Sequence, residues 1–159
     1  MTLSGIGYDV HRFATNRPLI VGGVEIPYHL GLEGHSDADV LSHAIADAVL
    51  GAVGERDIGY HFPNSDESIR GISSLEILRK AATIVRERGG TLNNVDATLI
   101  AQAPKIGPHV AQMRTNIANV LGLDPRRVGV KATTNEEMGF IGRGEGIAAL
   151  AVASVNLAD

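Results

Sequence analysis

Five of the six histidines, His11, His29, His35, His43 and His61, fall within the first 61 residues, and between Glu33 and Glu67 eight carboxylates have only Arg56 as counter-charge. Such a density of negative charge is unfavourable unless it is solvated or neutralised, and a divalent cation is the most economical neutraliser. Asp9-Val10-His11 sets two polar side chains at i and i+2, which in a strand project from one face. That is a two-ligand arm for a metal. Further on, Asp39, His43 and Asp47 fall at i, i+4 and i+8 along one face of an expected helix, with Ser36 placed to cap it. The imidazole of His43 would complete an Asp-His-His set and leave the fourth position of a tetrahedral zinc open for substrate. In the plainer alternative His11 merely ends a strand and His43 lies on a helix surface. D-x-H is too short a pattern to choose between them.

Other motifs bear on nucleophiles and phosphates. Gly34-His35-Ser36-Asp37-Ala38 falls one residue short of a G-x-S-x-G nucleophile elbow and lacks the parallel strand that would lead into Ser36, so helix capping is the better account of that serine. None of Lys80, Lys105 or Lys131 follows a G-x-x-x-x-G, which excludes a Walker loop. Lys131-Ala-Thr-Thr-Asn-Glu136 ends an expected strand with a cation, two hydroxyls and a carboxylate, suited to phosphate oxygens at Thr133 and Thr134 and magnesium at Glu136. A simple polar strand end has the same composition. Arg143 lies between glycines, which lets the backbone wrap an anion held by the guanidinium. Ala101-Gln-Ala-Pro-Lys-Ile-Gly107 is a second strand end, in which Pro104 and Gly107 could shape a cradle for a base. From the residues alone, the reading stops at a metal-dependent enzyme acting on a phosphorylated small molecule.

These groups need a scaffold. A chain of 159 residues and 16.7 kDa fits one domain, 1–159, and should bury roughly 68–70% of its unfolded surface without a disulfide or metal staple. Alternation over Leu3 to Phe13 predicts a strand, and Pro18 to Pro27 predicts a hairpin turning at Gly22-Gly23. Helical spacing predicts a helix at about 37–52 and a second from Leu75 to Val85, with a long polar loop from Arg56 to Ser74, lacking a convincing period, between them. Val95 to Ala101 predicts a strand. Pro108 opens a third helix reaching Leu121, and Val128 to Thr134 and Ile147 to Leu157 predict two more strands. The order β, hairpin, α, α, β, α, β, β implies an α/β (α+β) sandwich, one mixed sheet with helices on one face.

Composition excludes several classes. With no cysteine there are no disulfides, thiolate metal sites or thiol nucleophiles, so any metal must be held by His, Asp, Glu or backbone oxygens. Net charge of −4 and a pI near 5.8 argue against nucleic acid as a partner, since counterion release needs a concentrated basic face. No apolar run reaches the ~18–20 residues of a membrane span and the start is not that of a signal peptide, so a soluble cytoplasmic protein is expected.

Taken together, Gly7-Tyr-Asp-Val-His-Arg-Phe13, His35-Ser-Asp-Ala-Asp-Val-Leu-Ser-His43, Asp57-Ile-Gly59, Ala101-Gln-Ala-Pro-Lys105, Lys131-Ala-Thr-Thr-Asn-Glu136 and Gly142-Arg-Gly-Glu-Gly146 resemble the family of 2-C-methyl-D-erythritol 2,4-cyclodiphosphate synthases over almost the whole chain. The resemblance implies attack of a substrate 2-phosphate on the β-phosphorus of 4-diphosphocytidyl-2-C-methyl-D-erythritol 2-phosphate, with loss of CMP, in non-mevalonate isoprenoid biosynthesis. It implies Asp9, His11 and His43 as ligands of zinc or another divalent transition metal, and Glu136 as ligand of magnesium or manganese. His35, Ser36, Phe62, Asn64, Asp66, Phe140 and Arg143 become substrate contacts, and Asp57 and Gly59 ribose contacts. Ala101, Pro104, Lys105, Ile106, Gly107, Ala132, Thr133 and Thr134 become the cytidine pocket and its phosphate side. Thr134 and His35 would position the transition state, with no protein nucleophile, as suits phosphoryl transfer. The resemblance further implies a homotrimer with active sites between subunits and a central channel, closed near Phe140, Arg143 and Glu145, that an isoprenoid diphosphate could enter. The chain departs from the family's usual residues at Tyr60 and Asn64, both in the polar loop. A hydrolytic phosphoesterase on the same scaffold, or a trimeric module that binds nucleotide or metal without turnover, are the competing functions.

Overall fold

In the computed structural model, which describes residues 1–158, the N-terminal alternation becomes one long strand, β1 (Thr2–Ala14). Its odd-numbered residues turn inward, whereas Ile6, Tyr8 and Val10 stay exposed. The hairpin forms where expected: β2 (Leu19–Val21) and β3 (Val24–Ile26) are joined by Gly22 and Gly23 at φ 58° and 70°, a double left-handed turn that glycine adopts without strain. A two-residue strand, β4 (Gly31–Leu32), then pairs with the end of β1.

The first helix, α1 (Val40–Ala52), starts three residues later than the spacing suggests. Its N-cap is Asp39, whose carboxylate accepts the Ser42 N–H at 3.0 Å, so Ser36 is not the cap. The long polar loop after it carries two short elements. Asp57 caps a short α2 (Ile58–His61), and Glu67–Ile69 make a 3₁₀ turn, elements too short to leave a periodic signature. Next come α3 (Ser74–Glu87) and β5 (Gly90–Ile100). The strand begins five residues before the expected start because the polar Thr91 and Asn94 continue the ladder, with Asn93 set out of register between Leu92 and Asn94. A 3₁₀ turn at Gly107–His109 leads into α4 (Val110–Leu121), which ends on Gly122. The remaining elements are a 3₁₀ turn at Pro125–Arg127, β6 (Val128–Thr133), a single turn α5 (Gly139–Gly142) and β7 (Gly146–Leu157).

Five strands form one mixed sheet in the order β4-β1-β7-β5-β6, in which only β5 and β6 run parallel, linked by the α4 crossover. The α1, α3 and α4 helices cover one face, giving the expected α+β architecture, and α1 is buried along nearly its whole length between the sheet and α3. Close approach of β1 to α1 depends on glycine. A Cβ on Gly7 would stand 1.9 Å from the Ala44 carbonyl oxygen. Ile6 faces Val152 and Tyr8 faces Leu150 across strands on the other side of the sheet, where all four side chains are exposed. Among the described residues no helix is long and apolar enough to cross a membrane.

Candidate active site

The period-2 geometry of β1 aims Asp9 and His11 inward at the first turns of α1, where His43 meets them. Asp9 Oδ2 lies 2.8 Å from His11 Nε2 and 3.1 Å from His43 Nδ1, and the two ring nitrogens are 3.2 Å apart. A tetrahedral ion bonded at ~2.0–2.1 Å holds its ligand atoms about 3.3 Å apart, so these three atoms suit one divalent ion with little rearrangement. They form the one cluster of three or more such side chains able to hold a metal among the described residues.

Hydrogen bonds behind the rings orient them. His11 Nδ1 donates to the Glu33 carbonyl at 2.6 Å, leaving the Nε2 lone pair for a metal. On the other ring it is Nε2 that faces hydroxyls, Ser74 Oγ at 2.8 Å and Ser36 Oγ at 3.2 Å. Burial opposes charge on Asp9, but contact with the His11 and His43 rings outweighs it and holds the carboxyl at about 2. Burial likewise opposes charge on His11, yet contact with Asp9 raises its pKa above the ordinary value. The field that favours a proton there favours a divalent cation too.

The two other acids expected on the helix face are used elsewhere. Asp39 is fully buried and accepts from Gly22 N, Gly23 N, Ser42 N and Ser42 Oγ at 2.8–3.0 Å, which fastens the hairpin to α1. Burial pushes its carboxyl up, and those donors oppose the shift. Asp47 accepts the Ile58 N–H at 2.8 Å and so ties α2 to α1. Its carboxyl is raised by burial and by the charges of Asp57 and Asp9.

A cavity of about 220 Å³ opens over the cluster and also gathers His35, Ser36, Gly59, Phe62 and Asn64, with Ile58, Ile69, Ile72 and Ile77 as an apolar wall that sequence spacing did not single out. Arg17 fixes its rim by donating to the carbonyls of Gly34 and Ser36, both at 2.7 Å. His35 Nε2 lies 3.0 Å from the Asp66 carbonyl oxygen, while the Asp66 and Asp57 side chains cap their own turns.

The other predicted residues gather in a second cavity, of about 550 Å³, at the ends of β5 and β6. Ala101, Pro104, Lys105, Ile106, Gly107, Ala132, Thr133 and Thr134 line it, joined by Gln102, Pro108 and Val130. The Ala103–Pro104 peptide is cis. Lys131 pairs with Asp96, so it is not a free cation for phosphate. Thr134 Oγ1 accepts the Glu136 N–H at 3.2 Å, and the Glu136 carboxylate makes no ion pair among the described residues. Arg143 is exposed and its Nε donates to Glu145 at 2.9 Å; Phe140 is also exposed. Neither lines either cavity. Because β1, β5 and β6 all point the same way, both cavities lie at one end of the sheet, roughly 14 Å apart by three strand spacings.

The chain matches the YgbB family over residues 2–156. A protein of Akkermansia muciniphila named 2-C-methyl-D-erythritol 2,4-cyclodiphosphate synthase is 58% identical over 156 residues, 98% of this chain and 92% of that one. Among solved structures, the bifunctional IspDF of Campylobacter jejuni is similar with a TM-score of 0.95 and 45% identity; all of this chain is covered, and it spans 43% of that longer one. A CDP complex of Plasmodium falciparum IspF is similar with a TM-score of 0.86 and 33% identity, covering 99% of this chain and 97% of that chain.

Proposed function

The chain belongs to the YgbB family of 2-C-methyl-D-erythritol 2,4-cyclodiphosphate synthases, and from that premise we propose that it converts 4-diphosphocytidyl-2-C-methyl-D-erythritol 2-phosphate to the 2,4-cyclodiphosphate with release of CMP, as a cytoplasmic phosphorus–oxygen lyase of isoprenoid biosynthesis. The observation that carries the reading is the Asp9, His11 and His43 cluster at the floor of the first cavity. Those residues would hold zinc or a similar divalent ion, and the bound ion would supply positive charge to a phosphate oxygen. Glu136 is the ligand we propose for magnesium or manganese, supported by its unpaired carboxylate beside the Thr134 turn.

No side chain need be the nucleophile. An oxygen of the substrate's own 2-phosphate attacks the β-phosphorus, that bond forms as the bond to CMP breaks, and CMP leaves carrying the electron pair on its phosphate oxygen. The protein's part is to position and to shield, which supplies most of the catalysis in phosphoryl transfer. His35 and Ser36 border the metal cluster and are placed to hold the 2-phosphate portion, and Gly59, Phe62 and Asn64 to cover it. The second cavity would take the cytidine, with Thr134 toward the phosphates; the CDP complex of the Plasmodium protein supports this assignment.

We further propose a homotrimer. Ile6, Tyr8, Leu150 and Val152 form an apolar strip on the uncovered sheet face, where isolated domains rarely expose one, and the two cavities share no lining residue. Joining subunits along that strip would complete sites between neighbours and enclose a channel near Phe140, Arg143 and Glu145. Incubation with the diphosphocytidyl substrate and magnesium, followed by phosphorus NMR, tests the activity: cyclic diphosphate with stoichiometric CMP is expected. Inorganic phosphate or a linear product would favour a hydrolase instead.

A further inference from the structure

The cluster that we read as a metal site has a buried hydrogen-bonded chain behind one of its ligands. Ser74, the first residue of α3, is fully buried, and its hydroxyl lies 2.8 Å from His43 Nε2. The same hydroxyl donates to Asp37 Oδ1. Asp37 is itself fixed: its Oδ2 accepts the Ser74 N–H at 3.1 Å, its Oδ1 accepts the Asp39 N–H at 3.2 Å, and its own N–H donates to the Ile72 carbonyl at 3.1 Å. Between the two aspartates Ala38 holds φ at 59°, in the left-handed region, and so one acid turns toward Ser74 and the next toward the β2–β3 hairpin.

An ionised carboxylate has only acceptors, so the proton between Ser74 and Asp37 belongs to the serine. With its proton committed, Ser74 Oγ presents a lone pair to His43, and Nε2 must carry the hydrogen. His43 Nδ1 is then left with its lone pair facing Asp9 and His11. Ser36 Oγ also approaches Nε2, but it is farther away at 3.2 Å and already accepts the Ala38 N–H at 3.0 Å.

We propose that Asp37 and Ser74 are positioning residues that lock His43 in the metal-ready tautomer and orientation, an inference that rests on the metal-site reading of Asp9, His11 and His43. Neither residue is one of the three candidate ligands or lines the first cavity. Outer partners of this kind typically govern metal affinity by 10–100-fold.

The test uses Ser74→Ala, since alanine keeps the start of α3 and removes only the hydroxyl. Two readouts separate the relay from the metal site: the tautomer of His43 by ¹⁵N NMR in metal-free protein, and zinc affinity by competition with a chromophoric chelator. The wild-type protein should show hydrogen on Nε2, and S74A should lose that preference and bind zinc roughly 10–100-fold more weakly. A folded S74A with wild-type tautomer and zinc affinity would overturn the relay and leave the metal site standing. Wild-type protein that binds no zinc while S74A still shifts the tautomer would overturn the metal site and support the relay. If S74A does not fold, Asp37→Ala carries the same test: it removes the acceptor that commits the serine proton, so tautomer preference and zinc affinity should both fall, and unchanged values would refute the relay.

Discussion

Gly7→Ala perturbs the point on which the metal cluster depends without touching a ligand. A Cβ at residue 7 would sit 1.9 Å from the Ala44 carbonyl oxygen and 2.8 Å from the Ala48 nitrogen, and both are helix backbone. Ordinary contact begins at 3.4 Å, and the shortfall, 3.4 less 1.9, is 1.5 Å. No rotamer change relieves it, so α1 must retreat from β1 or β1 must bend. His43 immediately precedes Ala44. A retreat of that size takes its Nδ1 from 3.1 Å toward about 4.6 Å from Asp9 Oδ2, well beyond the ~3.3 Å that tetrahedral bonds span. Losing one of three ligands should weaken zinc at least about 100-fold, close to 2.7 kcal/mol. Overpacking should itself cost about 1–3 kcal/mol, which for a chain of this size lowers Tm by roughly 2–12 °C. Calorimetric unfolding and chelator competition on the same sample read both effects. Gly5→Ala is the control: its Cβ would meet the Ala48 oxygen at 2.1 Å, one helical turn farther from His43, so it should match the stability loss and spare most of the zinc affinity. A G7A protein that loses stability but keeps wild-type zinc affinity would refute the link between helix approach and ligand geometry.

Four other outcomes are expected. His43→Ala should fold and retain no tightly bound zinc by metal analysis, because the apolar surface of α1 survives while one ligand goes. Glu136→Gln should keep its zinc but lose about 10²–10³ in rate, with an altered magnesium dependence of CMP release, as for removal of one electrostatic contact to a transition state. Calorimetry should show tighter binding of CMP than UMP, since fixed backbone groups at Ala101–Gly107 would leave a partner unpaired against uracil. Asp39→Asn must turn an amide nitrogen toward at least one of the N–H donors of Gly22, Gly23 and Ser42; that leaves a buried donor unpaired and should cost about 1–3 kcal/mol in thermal unfolding.

The parts of the fold legible in the sequence were those with a strong local period. β1, the hairpin at Gly22-Gly23, α3 and β7 all emerge close to their expected positions. The start of α1 did not, because Ser36, Asp37 and Asp39 are all competent caps and only the tertiary pull of the hairpin amides selects Asp39. That same pull removes Asp39 from the helix face to which i, i+4 spacing assigned it. In the site, the D-x-H arm was legible because strand alternation alone places Asp9 and His11 together. Asp37 and Ser74 were not, being brought together across 37 positions by the packing of α3 beside α1. The division of the candidate residues between two separate cavities was also invisible, since it follows from strand order.

That strand order also governs how the chain can fold. The C-terminal strand β7 lies at the centre of the sheet, and it pairs with β1 at separations reaching the 154 positions between Thr2 and Asn156. Until β7 arrives, the sheet exists only as two fragments, β4 with β1 and β5 with β6, which share no hydrogen-bonded edge. Such a nonlocal closure is slow, because the loop entropy is lost before the contacts form. During synthesis the strand that carries Asp9 and His11 therefore has its main partner only after residue 157 has left the ribosome, and until then its exposed edge is open to pairing with other chains.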